Sequence, residues 1–297
     1  MRVLVICGPT ASGKTSLAVE CARALDTEII SADSMLVYKG LDIGTAKPSA
    51  SERKGVVHHL IDVAEPTESF SVSDYERLAL PVVQSLLSRG KIPVICGGTG
   101  FYINSVLYKS QFGKTGANPE IRKKYETYLE ENGKERLHSL LKECDPESAS
   151  LLHPNDTKRV IRALEIFETT GRKKSDQHDL PVPRFDFVCV SVGYPREELY
   201  ERINRRVDGM LNAGLAEEVR SLLERGIPPS AQCMQGIGYK EMEEGMRRGW
   251  PMTEIAELIK KNTRNYAKRQ ITFFRRMNSH TVLSPERATV EEVLKLL

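Results

Sequence analysis

The run VLVIC followed by GPTASGKT, close to the start of the chain, constrains the fold more than any other stretch. Val3 to Cys7 is short, apolar and rich in branched side chains, as expected of a strand buried on both faces of a parallel sheet. Gly8, Pro9, Thr10, Ala11, Ser12, Gly13, Lys14 and Thr15 then have the form G-x-x-x-x-G-K-T of a phosphate-binding loop. Leu17, Ala18, Cys21 and Leu25 follow at helical spacing. The motif requires this order of strand, loop and helix. Its glycines let backbone N–H groups converge on phosphate oxygens, and the helix N-terminus adds partial positive charge. Lys14 contributes a full charge and Thr15 a hydroxyl for Mg²⁺. Such a loop selects phosphate esters in general, and nothing in it reads adenine.

The first third continues as α/β. TEIISAD, ending at Asp33, HHLIDV and IPVICGGTG read as further strands. SVSDYERLALPVVQSLLSRGK reads as a helix, with Ser73 as its N-cap and Gly90 as its stop. Alternation of this kind predicts a parallel sheet. The pattern changes after YKSQFGKTGANP. Asn118 before Pro119 predicts a helix start, and only helices follow as far as Gly171. LPVPRFDFVCVSVGY returns to a strand, and everything from Pro195 onward reads as helical. The predicted class is α/β: a P-loop NTPase-like core with a parallel sheet flanked by helices, interrupted by an all-helical insertion. The expected bounds are 1–117 and 187–297 for the core and 118–186 for the insertion.

The chain has 297 residues and a formal net charge of +3. That length supports a sizeable core, and that charge alone does not argue for nucleic acid. No apolar run approaches the ~20 residues that span a bilayer, so no membrane partner is expected. No leader is expected before the first strand, and the six cysteines form no C-x-x-C pair. A cytoplasmic protein with reduced thiols, and without structural zinc or disulfides, is expected.

Three further features suggest chemistry. Asp33 falls at the carboxyl end of a strand, where open α/β sheets place their ligands. It can serve there as a Mg²⁺ ligand, a helix cap or a general base. GGTG, Gly97 to Gly100, is a second glycine-rich turn on the same sheet edge and offers the Thr99 hydroxyl. Cations are unevenly placed. Lys158, Arg159 and Arg162 occupy the first turns of a helix, against its macrodipole. They suit either a polyanion or a solvated face. Lys261, Arg264, Lys268 and Arg275 form a stripe in a segment without an acid from 260 to 276. A stripe of this sort suits a phosphate backbone. Tyr266, Phe273 and Phe274 lie within it and can pack as core or stack on bases. Arg202 and Arg206 share a helix face, and either reach the phosphate loop or pair with Glu198 and Glu201.

GPTASGKT, ISADSMLVYKGLDIGTAKP, HHLIDV, PVICGGTGFYI, KRVIRALEI and NTRNYAKRQITFFRR, in this order over nearly the whole chain, resemble the bacterial tRNA dimethylallyltransferase (tRNA isopentenyltransferase) family. The resemblance implies that a dimethylallyl group passes from dimethylallyl diphosphate to N6 of the adenosine just 3′ of the anticodon. The substrates it implies are tRNAs reading codons that begin with U. Diphosphate is then the leaving group, held by the loop, with Mg²⁺ as cofactor on Thr15. Asp33 matches the family's general base. Lys14, Thr10 and Arg206 match stabilisers of the leaving group, and Thr99 a residue near the target base. Asp33, Ser34, Met35, Leu36, Thr99, Arg122, Thr157, Lys158, Arg159, Val160 and Ile161 match positions that contact tRNA. Arg264 and Lys268 of the basic stripe join them. Leu36 replaces a frequently polar residue, so contact there is expected through the main chain. The insertion clamps the anticodon stem-loop, and a monomer is expected. From sheet and loop alone, the rival reading is an ATP-dependent small-molecule kinase with Asp33 as base. A GTPase-like switch would need an N-K-x-D motif, which the sequence lacks.

Overall fold

The computed structural model describes residues 2–109, 118–176, 182–277 and 279–297. It divides into two compact units, Met1–Tyr108 with Pro183–Leu297, and Lys109–Val182.

The first unit is built on a six-stranded sheet. Its strands are β1 (Arg2–Cys7), β2 (Ile29–Ser31), β3 (His58–His59), β4 (Val94–Gly97), β7 (Asp186–Val192) and β8 (His280–Leu283), in the order β3-β2-β4-β1-β7-β8. Short strands β5 (Tyr108–Lys109) and β6 (Val182–Pro183) pair separately. Every pairing in the large sheet is parallel, with Leu4 opposite both Val94 and Val188. A central parallel strand is covered on both faces, which explains why VLVIC is apolar throughout. Val3, Val5 and Cys7 face a core shared with Tyr75, Val83 and Leu86 of α3 (Val72–Ser88) and Ile103 of α4 (Gly100–Leu107). Leu4 and Ile6 face the opposite way, onto Leu17, Ala18 and Cys21 of α1 (Lys14–Ala24) and Val293 of α12 (Val290–Leu294). The helices α8 (Arg196–Asn212), α9 (Leu215–Glu224), α10 (Tyr239–Arg248) and α11 (Met252–Phe274) complete the unit, with the short α2 (Ala50–Arg53) in a loop.

Some local expectations change. The cap of α3 is Ser71 rather than Ser73. Ser71 Oγ accepts from the Asp74 amide at 3.2 Å, and Asp74 returns a carboxylate oxygen to the Ser71 amide at 3.0 Å. That reciprocal box outcompetes a cap two residues later. HHLIDV yields only a two-residue strand, because Leu60 and Asp62 adopt positive φ of 61° and 58° and turn the chain. The C-terminal third is not purely helical, since HTVL forms β8 and pairs with β7 from Cys189 to Val192. Four residues between Ser279 and Ser284 are too few to show strand periodicity in the sequence.

The second unit is helical: α5 (Pro119–Cys144), α6 (Pro146–Leu151) and α7 (Thr157–Thr170). Asn118 caps α5 through Oδ1, at 3.1 Å and 3.2 Å from the amides of Glu120 and Ile121. Gly133, with φ 79° and ψ 167°, breaks its helical path. Leu137, Leu141, Val160, Ile161 and Leu164 form the core. Glu165, 0% exposed, is held by the Asn118 amide at 2.6 Å, Arg122 Nε at 3.0 Å and Arg162 at 2.7 Å. The chain re-enters the first unit at Arg184, whose amide donates to the Leu107 carbonyl at 2.7 Å. Residues 110–117, just before the expected start of the insertion, lie outside those described.

Candidate active site

The phosphate loop joins the carboxyl end of β1 to the first turn of α1. Gly8 and Gly13 adopt φ of 131° and 79°, which glycine allows without strain. Lys14 Nζ donates to the Pro9 carbonyl at 3.2 Å, so its ammonium curls back over the loop. Burial lowers its pKa; the neighbouring Cys96 and Asp33 act against that, and Arg206 reinforces it. The Thr10 amide does not point at a ligand. It donates to Gln270 Oε1 at 3.0 Å. Arg202 also secures the loop, with Nε 2.8 Å from the Ala11 carbonyl and its guanidinium 4.5 Å above the Tyr194 ring.

A cleft of about 380 Å³ opens beside the loop. It is lined by Gly13, Lys14 and Thr15 on one side and by Arg202, Arg205 and Arg206 of α8 on the other. Of the two arginine roles left open by the sequence, this places Arg206 at the loop rather than on Glu198 or Glu201. Its guanidinium donates to the Thr45 carbonyl at 3.1 Å. Burial lowers its pKa, and the charges of Asp33 and Glu52 oppose that shift. A smaller cavity of about 50 Å³ adjoins the cleft and shares Lys14, Thr15 and Arg206 with it. Asp33 lines this smaller cavity. The fit for a divalent cation is supported by the Thr15 hydroxyl and the Asp33 carboxylate lining one cavity, where Ser31 leaves a buried hydroxyl without a partner.

β2 ends at Ser31, so Asp33 lies just beyond the sheet. Its Oδ1 accepts from the amides of Met35 at 2.8 Å and Leu36 at 3.3 Å. Capping is therefore one of its jobs, and it fixes the carboxylate in the cavity wall. Thr99 Oγ1 accepts from the Ser34 amide at 3.0 Å, tying GGTG to the turn after Asp33. The glycines of that turn are needed for packing. A Cβ on Gly97 would lie 2.0 Å from the Ala32 carbonyl oxygen, and one on Gly100 would lie 2.0 Å from the Phe273 ring. Gln270, 5% exposed, completes the link by donating from Nε2 to the Gly98 carbonyl at 3.0 Å. Tyr266 lies beside Thr99 and Gln270, and burial and the Asp33 charge push its hydroxyl up to about 12.

Gln270 and Glu218 were not anticipated from the sequence. Gln270 sits inside the motif NTRNYAKRQITFFRR, whose cations carry the stronger sequence signal. Glu218 has no local signal. Its carboxylate accepts from the amides of Asp42 at 2.8 Å, Ile43 at 2.8 Å and Gly44 at 3.0 Å, and from the Tyr239 hydroxyl at 2.5 Å. It thereby shapes the loop whose Thr45 carbonyl holds Arg206.

The structure sorts the basic and aromatic candidates. Lys261, Lys268 and Arg275 are exposed, whereas Arg264 is half-buried and donates to Asn204 at 2.7 Å. Phe274 is core, at 2% exposure, and Phe273 packs on Gly100 and Phe101, so neither is an open stacking platform. In the second unit, Lys158 and Arg159 are exposed and Thr157 is half-buried. Arg162 and Arg122 face Glu165, so part of the positive charge on that unit answers a buried anion. Val160 and Ile161 are 0% and 6% exposed, which leaves their side chains no access to a partner. Thr10, Lys14, Thr15, Asp33, Thr99 and Arg206 all belong to the first unit, and Arg122 and Thr157 to Ile161 to the second.

A family model described as IPP transferase matches residues 36–277. The chain belongs to the IPP transferase family. Over 300 aligned residues it is 46% identical to the tRNA dimethylallyltransferase of Acetivibrio thermocellus, covering 100% of this chain and 96% of that one. Among solved structures it resembles a full-length tRNA isopentenylpyrophosphate transferase from Bacillus halodurans. The TM-score is 0.73 and the identity 40%, over 99% of this chain and 94% of the other. It also resembles a eukaryotic dimethylallyltransferase acting on tRNA, with a TM-score of 0.81 and 30% identity, over 97% of this chain and 74% of the other. The parallel sheet, its phosphate loop and the flanking helices are thus those of an IPP transferase.

Proposed function

We propose that the protein is a tRNA dimethylallyltransferase. It transfers the five-carbon group of dimethylallyl diphosphate to N6 of the adenosine 3′ to the anticodon, in tRNAs reading codons that begin with U. The observation that carries the reading is the joint placement of Lys14, Thr15, Arg206 and Asp33 around one cavity at the loop, in a chain of this family. A bond forms between N6 and the allylic carbon while that carbon's bond to oxygen breaks. The electron pair leaves with diphosphate, and the N6 proton passes to the Asp33 carboxylate. Negative charge grows on the leaving oxygens. Lys14, Arg206 and the N-terminus of α1 are positioned to stabilise it without reorganising. Mg²⁺, when bound through Thr15, would neutralise diphosphate charge. Met35 and Leu36 amides hold Asp33 in orientation, and Gln270 keeps the loop and GGTG in register.

On this reading the target base is unstacked from the anticodon loop to reach the cavity. Ser34, Met35, Leu36 and Thr99 border the base. Lys268, Arg264, Arg122, Thr157, Lys158, Arg159 and the backbone of Val160 and Ile161 face the RNA. The enzyme acts as a cytoplasmic monomer. The kinase alternative would place a nucleoside triphosphate on the same loop. The deciding experiment supplies unmodified tRNA, dimethylallyl diphosphate and Mg²⁺ without ATP, and reads the nucleoside mass. A dimethylallyl adduct on adenosine is expected. Its absence, with phosphate transferred from ATP to a small molecule, would refute the proposal.

A further inference from the structure

The small cavity behind the phosphate loop contains two polar atoms with no partner in the protein. Ser31 is 3% exposed and its Oγ makes no hydrogen bond. His58 Nε2 is equally buried and unbonded, while Nδ1 lies 2.9 Å from the Val56 carbonyl. A carbonyl only accepts, so Nδ1 carries the proton and Nε2 presents a lone pair. Burial holds the ring's pKa below its usual value, which favours that neutral form. Ile29 pairs with His58 across β2 and β3, and Ser31 lies two residues further along β2. With a side-chain period of two, Ser31 and His58 share the sheet face that carries α1.

Unpaired buried polar atoms are uncommon and call for an occupant. The cavity of about 50 Å³ has room for roughly three to five waters, at ~10–15 Å³ each. Thr15 lines the same cavity. Asp33, Ser31 and His58 line it too, so a cation on Thr15 has one carboxylate and two uncharged acceptors around it. Mg²⁺ sheds water reluctantly and takes one or two protein ligands while keeping several waters, so such acceptors suit its hydration shell.

We propose that Ser31 Oγ and His58 Nε2 receive hydrogen bonds from the waters of a hydrated Mg²⁺ held by Thr15 and diphosphate, and set the site's metal affinity without touching the ion. The inference rests on the reading of the loop as a diphosphate site. It is tested with Mn²⁺ as the probe ion and inorganic diphosphate as the anion, by the electron paramagnetic resonance signal of free Mn²⁺ in titrations of the full chain. Ser31→Ala and His58→Ala should each raise the Mn²⁺ concentration for half-saturation about tenfold. Metal-free diphosphate affinity should stay unchanged. His58→Gln, which keeps an acceptor at that reach, should recover most of the loss. Unchanged half-saturation in both alanine variants would overturn the proposal. So would His58→Gln as weak as His58→Ala, or equal losses of metal and metal-free diphosphate binding. Failure of the wild type to alkylate tRNA would refute the reaction assigned above while leaving this titration interpretable.

Discussion

Replacing Gln270 by leucine tests how the phosphate loop is held. Its amide makes two hydrogen bonds of 3.0 Å, accepting from Thr10 N and donating to Gly98 O, at a position 5% exposed. Leucine offers neither partner. Each lost bond removes about 1 kcal/mol net, and each stranded group adds a desolvation penalty of about 1–3 kcal/mol if it stays dry. Thr10 is half-buried and regains water, so the Gly98 carbonyl dominates and the total is about 3 kcal/mol. For a domain of roughly 150–250 residues, about 1 kcal/mol moves Tm by roughly 2–4 °C, so a fall of about 6–12 °C is expected. Calorimetry measures it, alongside affinity for inorganic diphosphate, which should fall because Thr10 is released. A second variant separates this from general core damage. An alanine Cβ at Gly98 would sit 2.1 Å from Gln270 Nε2, so Gly98→Ala should destabilise the wild type. In a Gln270→Ala background the clash disappears and most of that effect should vanish. A Tm within about 2 °C of wild type for Gln270→Leu, or strict additivity of Gly98→Ala and Gln270→Ala, would refute the bridging role.

Three more outcomes are expected. Asp33→Asn keeps an oxygen for the Met35 and Leu36 amides but cannot take a proton, so single-turnover prenylation should slow by roughly 10²–10⁴-fold with the fold intact; normal chemistry with weak tRNA binding would make Asp33 an anchor instead. Glu218→Ala strands three amides and the Tyr239 hydroxyl, and urea denaturation should show a loss of about 3 kcal/mol, with Glu218→Gln intermediate. Asp145 is buried, which raises its pKa, but Ser148 and Ser175 donors prevail and bring it from 3.8 to about 2. A depressed carboxylate pKa stabilises the fold above the ordinary value and that contribution is lost as pH falls from about 4 to about 2. Circular dichroism melts should show this acid-labile step, and Asp145→Asn should flatten it.

The central sheet was legible because a parallel strand covered on both faces must be apolar at every position, as VLVIC is. Asp33 and Thr99 were legible because the carboxyl ends of such strands converge. β8 was not, since four residues carry too few side chains to show a period. Val160 and Ile161 illustrate another limit. A motif marks them as important, but they fill the core of the helical unit, and only coordinates distinguish a packed side chain from a contacting one. Glu218 reaches the loop at Asp42 to Gly44 from more than 170 residues away, and no local pattern encodes so distant a partner. Arg122 matches an RNA-contact position and Arg162 suits either a polyanion or a solvated face in the sequence, whereas both pair with the buried Glu165.

The Thr10–Gln270 bond spans 260 residues of sequence. During vectorial synthesis the helical unit, continuous between Lys109 and Val182, emerges with all its core partners. β1 emerges before its partners, and receives β4 only from Val94, β7 from Asp186, and its loop anchor once α11 is nearly finished. Long-range closure of this kind is slow compared with local helix pairing. The phosphate loop is thus among the last parts of its sheet to reach final geometry, and a nascent chain presents an incompletely tethered anion-binding loop until α11 has emerged.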